Sequence, residues 1–167
     1  MDYHLEPMAA AHQKAVIDIF NHYIRHSHAA FPAEPVDYAF FQRFLEMSQG
    51  YPAVVVRDAH RQVVGFAFLR PYHPAATFKR TAEFTCFILP EHTRHGLGAA
   101  ILELFIEQAA PRGIDVILAA VSSRNVASLK FHRQQGFTEC GRFVEVGRKF
   151  GEDVDVIWLQ KHLGRRP

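Results

Sequence analysis

The stretch Phe87–Leu104 constrains the fold more than any other part of this sequence. A strand-like run ends at Pro90, a polar turn follows, and two glycines, Gly96 and Gly98, precede an apolar-periodic helix. A strand that leads through a glycine loop into a helix directs unpaired backbone N–H groups and the positive end of the helix dipole to one point. That point suits a phosphate group, but glycines also occur in tight strand-to-helix turns for steric reasons alone. The stretch by itself leaves a phosphate cradle and a plain turn as alternatives.

The rest of the chain alternates between helical and strand-like apolar periods. The predicted elements, in chain order, are a short strand at 2–6, helices Ala9–Arg25 and Asp37–Gln49, a hairpin of Ala53–Arg57 and Val63–Arg70, strand Lys79–Leu89, helix Gly96–Ala110, strand Ile114–Val121, helix Asn125–Gln135, and strands Phe137–Val146 and Val154–His162. The segment Lys79–Val121 forms one βαβ unit, whose strands should be parallel and whose ligand should lie beyond their carboxyl ends. Glu83 lies mid-strand in this unit, on the more polar face.

Composition bounds the class of protein. Of the 167 residues 49% are hydrophobic and 22% are charged, and the formal net charge is +2, as in ordinary globular proteins. We therefore expect a single domain over residues 1–167, with neither nucleic acid nor a membrane as partner. Because Cys86 and Cys140 are solitary and no secretory signal pattern is present, we expect a cytoplasmic protein. His22 and His26 have helical spacing, but no further ligands complete a metal site, and none is predicted.

Four segments, taken in order, resemble the GCN5-related N-acetyltransferases (GNAT), and within them the branch of phosphinothricin and methionine sulfoximine acetyltransferases. These segments are IFNHYIRHSHAAF at 19–31, AEFTCFILPEHTRHGLG at 82–98, NVASLKFHRQQGF at 125–137 and GRKFGEDVDVIWLQ at 147–160. The resemblance implies an α+β fold with a mixed, mostly antiparallel sheet, flanked by helices, in which a parallel βαβ unit binds acetyl-CoA. It also implies a homodimer that acetylates the primary amine of a small amino-acid-like substrate.

The resemblance assigns contacts for the acetyl-CoA co-substrate. The loop Thr93–Gly98 matches the family's pyrophosphate loop, although Thr93 stands where the family has Gln or Arg. The implied contacts are Ile88 and Leu89 for the pantetheine arm, Arg94, His95, Gly96, Leu97, Gly98 and Ala99 around the pyrophosphate, and Asn125 and Ser128 further along. For Asn125, a plain helix N-cap is the alternative.

Two residues match catalytic positions of the family. Glu83 matches the general base, which usually acts through water, and its alternative is a strand glutamate paired with Lys79 or Arg80. His132 matches a histidine that faces the thioester, where it could serve as a second base or a proton donor, or simply pack against the sheet. Backbone N–H groups near Leu89 could polarise the acetyl carbonyl.

The substrate pocket is implied less directly. Relatives line it from the loop after the first helix, here His26–Val36 with Phe31, from the residues before the base, here Lys79, Arg80 and Thr81, and from a dimer partner. Lys79 or Arg80 could hold a substrate carboxylate. Phe84 and Asp153 stand where this branch often has His and Trp, so the residues around the pocket differ there from those of the branch. A GNAT that acetylates a protein or peptide amine, and a catalytically silent acetyl-CoA-binding module, are the alternatives.

Overall fold

The computed structural model describes residues 2–164, which form a seven-stranded sheet with helices on both faces. The strands are β1 (His4–Pro7), β2 (Ala53–Arg57), β3 (Val63–Pro71), β4 (Thr81–Ile88), β5 (Val116–Ser122), β6 (Thr138–Lys149) and β7 (Glu152–His162). The α-helices are α1 (Gln13–His26), α2 (Phe41–Met47), α3 (Leu97–Ala109) and α4 (Val126–Gln134). The strand order is β1-β2-β3-β4-β5-β7-β6.

The pair β4–β5 is parallel, and every other neighbouring pair in the sheet is antiparallel. Helix α3 provides the crossover between the two parallel strands, as a βαβ unit requires. The predicted fold class, a mixed and mostly antiparallel sheet with one parallel βαβ unit, is confirmed.

Each face of the sheet has its own hydrophobic core. Helices α1 and α2 cover one face, where rings from both helices and from β3 and β4 pack edge-on or stacked. This aromatic set is Phe20, Phe40, Phe44, Phe66, Phe68 and Phe87. Helices α3 and α4 cover the other face, through residues such as Ile101, Phe105 and Leu129. The alternation of β4 explains this division, because Phe84 points to the second core and Phe87 to the first.

Several element boundaries differ from the sequence prediction, and two of these differences bear on the site and on the edge of the sheet. The strand predicted from Lys79 begins at Thr81, because Lys79 follows a single turn of 3₁₀ helix at Ala76–Phe78. Strand β6 continues three residues past the predicted end at Val146, and the hairpin closes through Phe150 and Gly151, with φ of 53° and 78°. Two positive φ values match the tight turns that suit twisted hairpins. Strand β6 is mostly exposed, so its sequence lacks the apolar alternation that marks a half-buried strand.

The two parallel strands separate soon after they meet. They pair over Thr81–Glu83 and Val116–Leu118, whereas β4 runs on to Ile88 and β5 to Ser122. Beyond Glu83 the edge of β4 that faces β5 therefore has no strand partner in this sheet. The result is a wedge-shaped gap that opens toward the amino end of α3.

The core on the α3 face should be sensitive to truncation. Phe105 is fully buried and its ring contacts that of Phe84, with centroids 6.0 Å apart. We expect Phe105→Ala to lower the free energy of unfolding by about 3–5 kcal/mol, since it leaves a cavity in a close-packed core. Val126→Ala, at an exposed helix position, should change it by less than about 0.5 kcal/mol. Equilibrium urea unfolding measures both, and equal losses would contradict the packing described here.

Candidate active site

Glu83 lies at the apex of the gap between β4 and β5. It is the last residue of β4 that pairs with β5, opposite Leu118. Its residue surface is only 8% exposed, on the sheet face that α1 and α2 cover. A carboxylate at this depth, beside an opening in the sheet, can exchange a proton with a group that enters the gap.

The partner of Glu83 is Arg70, neither Lys79 nor Arg80 as the pairing alternative had it. Arg70 lies directly across from Glu83 in the β3–β4 register, and its guanidinium donates to Glu83 Oε2. Burial raises the pKa of Glu83 above its ordinary value, and the charge and hydrogen bond of Arg70 counteract this. The balance leaves a carboxylate with increased proton affinity that still has a cation beside it.

His132 lies on α4, within the core on the opposite face of the sheet. The Phe84, Phe131 and Phe137 rings surround its imidazole, and 6% of the residue is exposed. Its Nδ1 lies 2.8 Å from the carbonyl oxygen of Ser128. A carbonyl oxygen only accepts, so Nδ1 carries the hydrogen and Nε2 presents a lone pair. Among the described residues, Nε2 of His132 and Nε2 of His28 are buried without a hydrogen-bond partner, which is uncommon in folded proteins.

The loop before α3 has the geometry of an anion cradle. Gly96 caps α3 with φ of 78°, a left-handed conformation that glycine adopts without strain. Gly98 serves packing, since a Cβ there would lie 3.1 Å from the Phe131 ring. Arg94 also has a positive φ, 65°, and Arg94, His95 and Gly96 are exposed. The N–H groups of the first turn of α3 lack intrahelical partners, so this end of the helix fits a pyrophosphate.

The remaining predicted cofactor residues lie around the same gap. Asn125 caps α4, and its side-chain oxygen accepts from the backbone N–H of Ser128 at 3.2 Å. The capping alternative for Asn125 is therefore present in the structure. At the end of β4, the Ile88 carbonyl accepts the Tyr23 hydroxyl of α1. Burial raises the pKa of Tyr23 to about 12, so this phenol stays protonated and keeps donating at neutral pH.

These features fit the acetyl-CoA that the resemblance implies. The gap lies along β4 beyond Glu83, and α3 and α4, the latter capped by Asn125, begin just after the carboxyl ends of β4 and β5. An acetyl group carried on a long flexible arm could reach Glu83 only through such an opening. The donor set is neutral backbone N–H groups together with Arg94, which suits a polyanionic ligand.

The residues predicted to bind substrate are dispersed. Arg80 is exposed, and its guanidinium donates to both carboxylate oxygens of Asp115, with Nε 2.7 Å from Oδ1. A substrate carboxylate that bound to Arg80 would therefore compete with Asp115 for the guanidinium. Lys79 is exposed outside the strand, and Thr81 is the first residue of β4. Phe31 is 51% exposed.

Phe31 lines a cleft of about 290 Å³ between the loop after α1 and the β6–β7 hairpin. Lys149 lies in this cleft with 7% of its surface exposed, and its Nζ donates to the Ala30 carbonyl at 2.7 Å. Burial lowers the pKa of Lys149. A second anchor joins His28 and Glu152, whose Nε2 and Oε2 lie 3.4 Å apart.

Sequence reasoning missed Arg70, Lys149 and an aromatic group above the sheet. In that group the Tyr72 ring meets the rings of Trp158 and Phe78 edge-on, with centroids 6.2 and 5.7 Å apart. No local motif marks these residues, because β3, β7 and the loop between β3 and β4 bring them together from distant parts of the chain. One signal for Arg70 was available: it ends a predicted hairpin strand, and the next predicted strand carries Glu83, so the two side chains could pair across the strands.

The described residues contain neither a helix that could span a membrane nor a group of side chains that could hold a metal ion. Within residues 2–164, none of the helices has both the length and the apolar character that a membrane span needs. In the same range, no three side chains among His, Cys, Asp and Glu are grouped as metal ligands would be.

The buried imidazole of His132 should make stability depend on pH. Burial lowers its pKa in the folded chain, so below about pH 6.5 the unfolded chain binds a proton there that the folded chain does not. Stability should therefore fall as the pH drops, by at most about 1.4 kcal/mol per pH unit from this group. Urea unfolding at about pH 7.5 and about pH 5.5 should show a larger loss for the wild type than for His132→Leu. Parallel losses in the two proteins would contradict this.

Comparison with known proteins agrees with the geometry. The family model described as acetyltransferase (GNAT) family matches residues 16–137. The L-methionine sulfoximine/L-methionine sulfone acetyltransferase of Pseudomonas aeruginosa is 33% identical over 150 residues, which cover 89% of this chain and 87% of that protein.

Two solved structures extend the comparison. A GNAT superfamily phosphinothricin acetyltransferase from Sinorhizobium meliloti, in complex with acetyl-CoA, superposes with a TM-score of 0.91 at 25% identity, covering 98% of this chain and 90% of that one. A ribosomal-protein-alanine N-acetyltransferase from Brucella melitensis gives a TM-score of 0.86 at 30% identity, covering 95% and 99%. The fold, the gap between β4 and β5 and the family match lead to one conclusion: the chain belongs to the acetyltransferase (GNAT) family.

Proposed function

We propose that this protein transfers the acetyl group of acetyl-CoA to the primary amine of a small amino-acid-like substrate of the methionine sulfoximine or phosphinothricin type. As a GNAT family member it is an acetyl-CoA-dependent N-acetyltransferase, and relatives that act on such substrates match nearly the whole chain. The observation that carries the reaction is the buried Glu83 carboxylate at the apex of the gap between β4 and β5.

Glu83 serves as the general base. An amine attacks a carbonyl carbon only after it has lost its extra proton, and acetyl-CoA supplies that carbonyl as a thioester. The carboxylate of Glu83, with its proton affinity increased by burial, removes the proton directly or through one water. Depth in the sheet keeps bulk water away from the reacting groups and strengthens each electrostatic contact there.

His132 serves as a proton acceptor rather than a donor in its resting state. Its Nδ1 hydrogen is engaged by the Ser128 carbonyl, which leaves the Nε2 lone pair. Since burial lowers the pKa of the imidazole, it is neutral at physiological pH. Of the two catalytic residues, Glu83 is therefore the main base, and His132 receives a proton only transiently.

Acetyl-CoA is held by three parts of the site. Backbone N–H groups of Gly96, Leu97, Gly98 and Ala99 bind the pyrophosphate, with Arg94 and His95 beside it. The free edge of β4 at Ile88, with Leu89 just beyond it, pairs with the amide-bearing arm, and N–H groups near Leu89 polarise the acetyl carbonyl. The N–H of Leu89 itself donates to the Val64 carbonyl at 2.8 Å. Asn125 and Ser128 contact the co-substrate from the start of α4.

The acceptor enters on the face covered by α1 and α2, where Glu83 is located. Phe31 and its cleft form the outer pocket beside Ser122, at the carboxyl end of β5. Lys79, Arg80 and Thr81, at the amino end of β4, contact the acceptor from a separate position. Acetylation of a peptide amine is the second candidate, favoured by the similarity to a ribosomal-protein-alanine N-acetyltransferase.

We also propose that residues 1–167 form one domain and that two copies assemble as a homodimer in the cytoplasm. Strand β6 lies at the edge of the sheet and exposes four large apolar side chains on or beside it. They are Phe143, Val144, Val146 and Phe150, each more than half exposed. Apolar surface on an exposed sheet edge is typical of a contact with another chain. Cys86 and Cys140 are free thiols, as a reducing compartment allows.

The assignment of the base is tested with Glu83→Gln. The amide keeps the size of the side chain but cannot accept the proton, so kcat should fall by about 10²–10⁴-fold while acetyl-CoA affinity is retained. Release of the CoA thiol measures turnover, and calorimetric titration measures binding. Glu103→Gln, an exposed carboxylate on α3, is the matched control and should keep wild-type turnover.

The acceptor panel for this assay contains methionine sulfoximine, methionine sulfone, phosphinothricin, polyamines and short peptides. Turnover on the first three that is lost in Glu83→Gln supports the proposal. Activity on peptides alone would favour the second candidate. Retained wild-type turnover in Glu83→Gln would refute the assignment of the base, and absence of turnover with intact acetyl-CoA binding would favour a silent binding module.

The homodimer is tested on β6. Val144→Lys places a charge on the exposed apolar edge, so we expect it to shift the assembly toward the monomer because a lysine would lose its hydration in the interface. Sedimentation equilibrium measures the shift. Val126→Lys, an equally exposed valine on α4, should leave the dimer intact. A monomeric wild type, or equal behaviour of the two variants, would refute this interface.

A further inference from the structure

Arg70 holds the end of β3 against the proposed base. The two residues are Cα partners in the antiparallel β3–β4 register, so both side chains rise from the same face of the sheet. One guanidinium nitrogen donates to Glu83 Oε2, and the other terminal nitrogen lies 3.7 Å from the Met47 sulfur at the end of α2. The Arg70 side chain is 39% exposed and that of Glu83 is 10% exposed, so the cation closes the solvent side of the pair.

The residues that follow Glu83 across the sheet toward β7 carry no charge. Leu118 of β5 lies opposite Glu83, and Gln160 of β7 lies opposite Leu118. Helix α2 contributes Met47, which contacts Arg70. Arg80, the next cation toward the start of β4, is engaged by Asp115. Within the described part of the chain, Arg70 is therefore the charged group that acts on this carboxylate.

A buried acid without a cation would stay protonated and could not accept a proton from the substrate. Moving a carboxylate out of water disfavours its charged form strongly, and a cation at contact distance restores that form. A guanidinium also fixes direction, because its planar donors constrain where the carboxylate oxygens lie. With Oε2 bound by Arg70, Oε1 remains for the acceptor side of the site.

We propose that Arg70 is a positioning residue for the acetyl transfer: its guanidinium keeps the Glu83 carboxylate ionised and orients its second oxygen toward the gap between β4 and β5. This inference rests on the proposed function, in which Glu83 is the base. It assigns Arg70 no contact with substrate, so its effects must reach the reaction through Glu83.

The experiment measures kcat/KM against pH for the wild type, Arg70→Gln, Arg70→Lys and Glu83→Gln. Loss of the guanidinium raises the pH at which Glu83 ionises, so the acid limb of Arg70→Gln should move to higher pH. Below that limb, kcat/KM should fall about tenfold for each unit of the shift. Arg70→Lys, which keeps a charge but loses the planar fork, should lie between the wild type and Arg70→Gln.

A matched control separates this effect from the loss of an ion pair in general. Arg57 donates to Glu6 at 2.7 Å across neighbouring strands at the far edge of the sheet, and these side chains are 26% and 27% exposed. Arg57→Gln should reproduce the wild-type pH profile even if it lowers stability. The same profiles are measured with an acceptor whose carboxylate is converted to the amide, since a substrate-binding role for Arg70 would disappear with that acceptor.

Several results would overturn the inference. Superimposable acid limbs for Arg70→Gln, Arg70→Lys and the wild type would refute it while leaving the proposed base intact, provided that Glu83→Gln is inactive. An effect confined to KM for the carboxylate-bearing acceptor would identify Arg70 as a substrate ligand instead. Wild-type activity in Glu83→Gln would remove the proposed base and this inference together. If Arg70→Gln does not fold, the acid limb of the pH profile of Arg70→Lys tests the inference by itself.

Discussion

The separation of β4 from β5 after three paired residues is the constraint on which the rest of this molecule depends. Backbone N–H and C=O groups inside a protein need partners, and in a continuous sheet the neighbouring strand supplies them. Here β4 runs five residues beyond Glu83 without pairing to β5. Its free edge is therefore a site for a ligand that can pair as a strand would, and the amino end of α3 lies where such a ligand would carry its phosphates.

Two residues beside this gap depart from the usual composition of a hydrophobic core. Glu83 is a buried acid, and His132 has a buried nitrogen without a hydrogen-bond partner among the described residues. Burial disfavours the charged form of the acid, and a desolvated nitrogen without a hydrogen bond costs stability. The two lie on opposite faces of the sheet, in the separate cores of α1–α2 and α3–α4. Local inconsistencies concentrated on both sides of one opening are characteristic of a functional site in an otherwise well-packed fold.

The sequence predicted those parts of the molecule that depend on neighbours in the chain. The βαβ unit, the glycine loop and the cap at Asn125 follow from local periodicity and turn chemistry, and the structure contains them. The partner of Glu83 could not be predicted in this way, because it is fixed by the cross-strand register of a long hairpin. The end of β6 was misplaced because an exposed edge strand carries no burial pattern. To predict a site that several strands form together, one must know how the strands are paired residue by residue, in addition to where each strand begins and ends.

The substrate wall and the exposed sheet edge are physically connected. The loop that carries Phe31 is tied to the β6–β7 hairpin through the Lys149 bond to the Ala30 carbonyl and through the His28–Glu152 contact. Lys149 is the last residue of β6, whose apolar side chains are exposed. A protein that covers this edge would restrict the hairpin and, through Lys149, the position of Phe31 in the outer pocket. Assembly through β6 would therefore influence which acceptors fit.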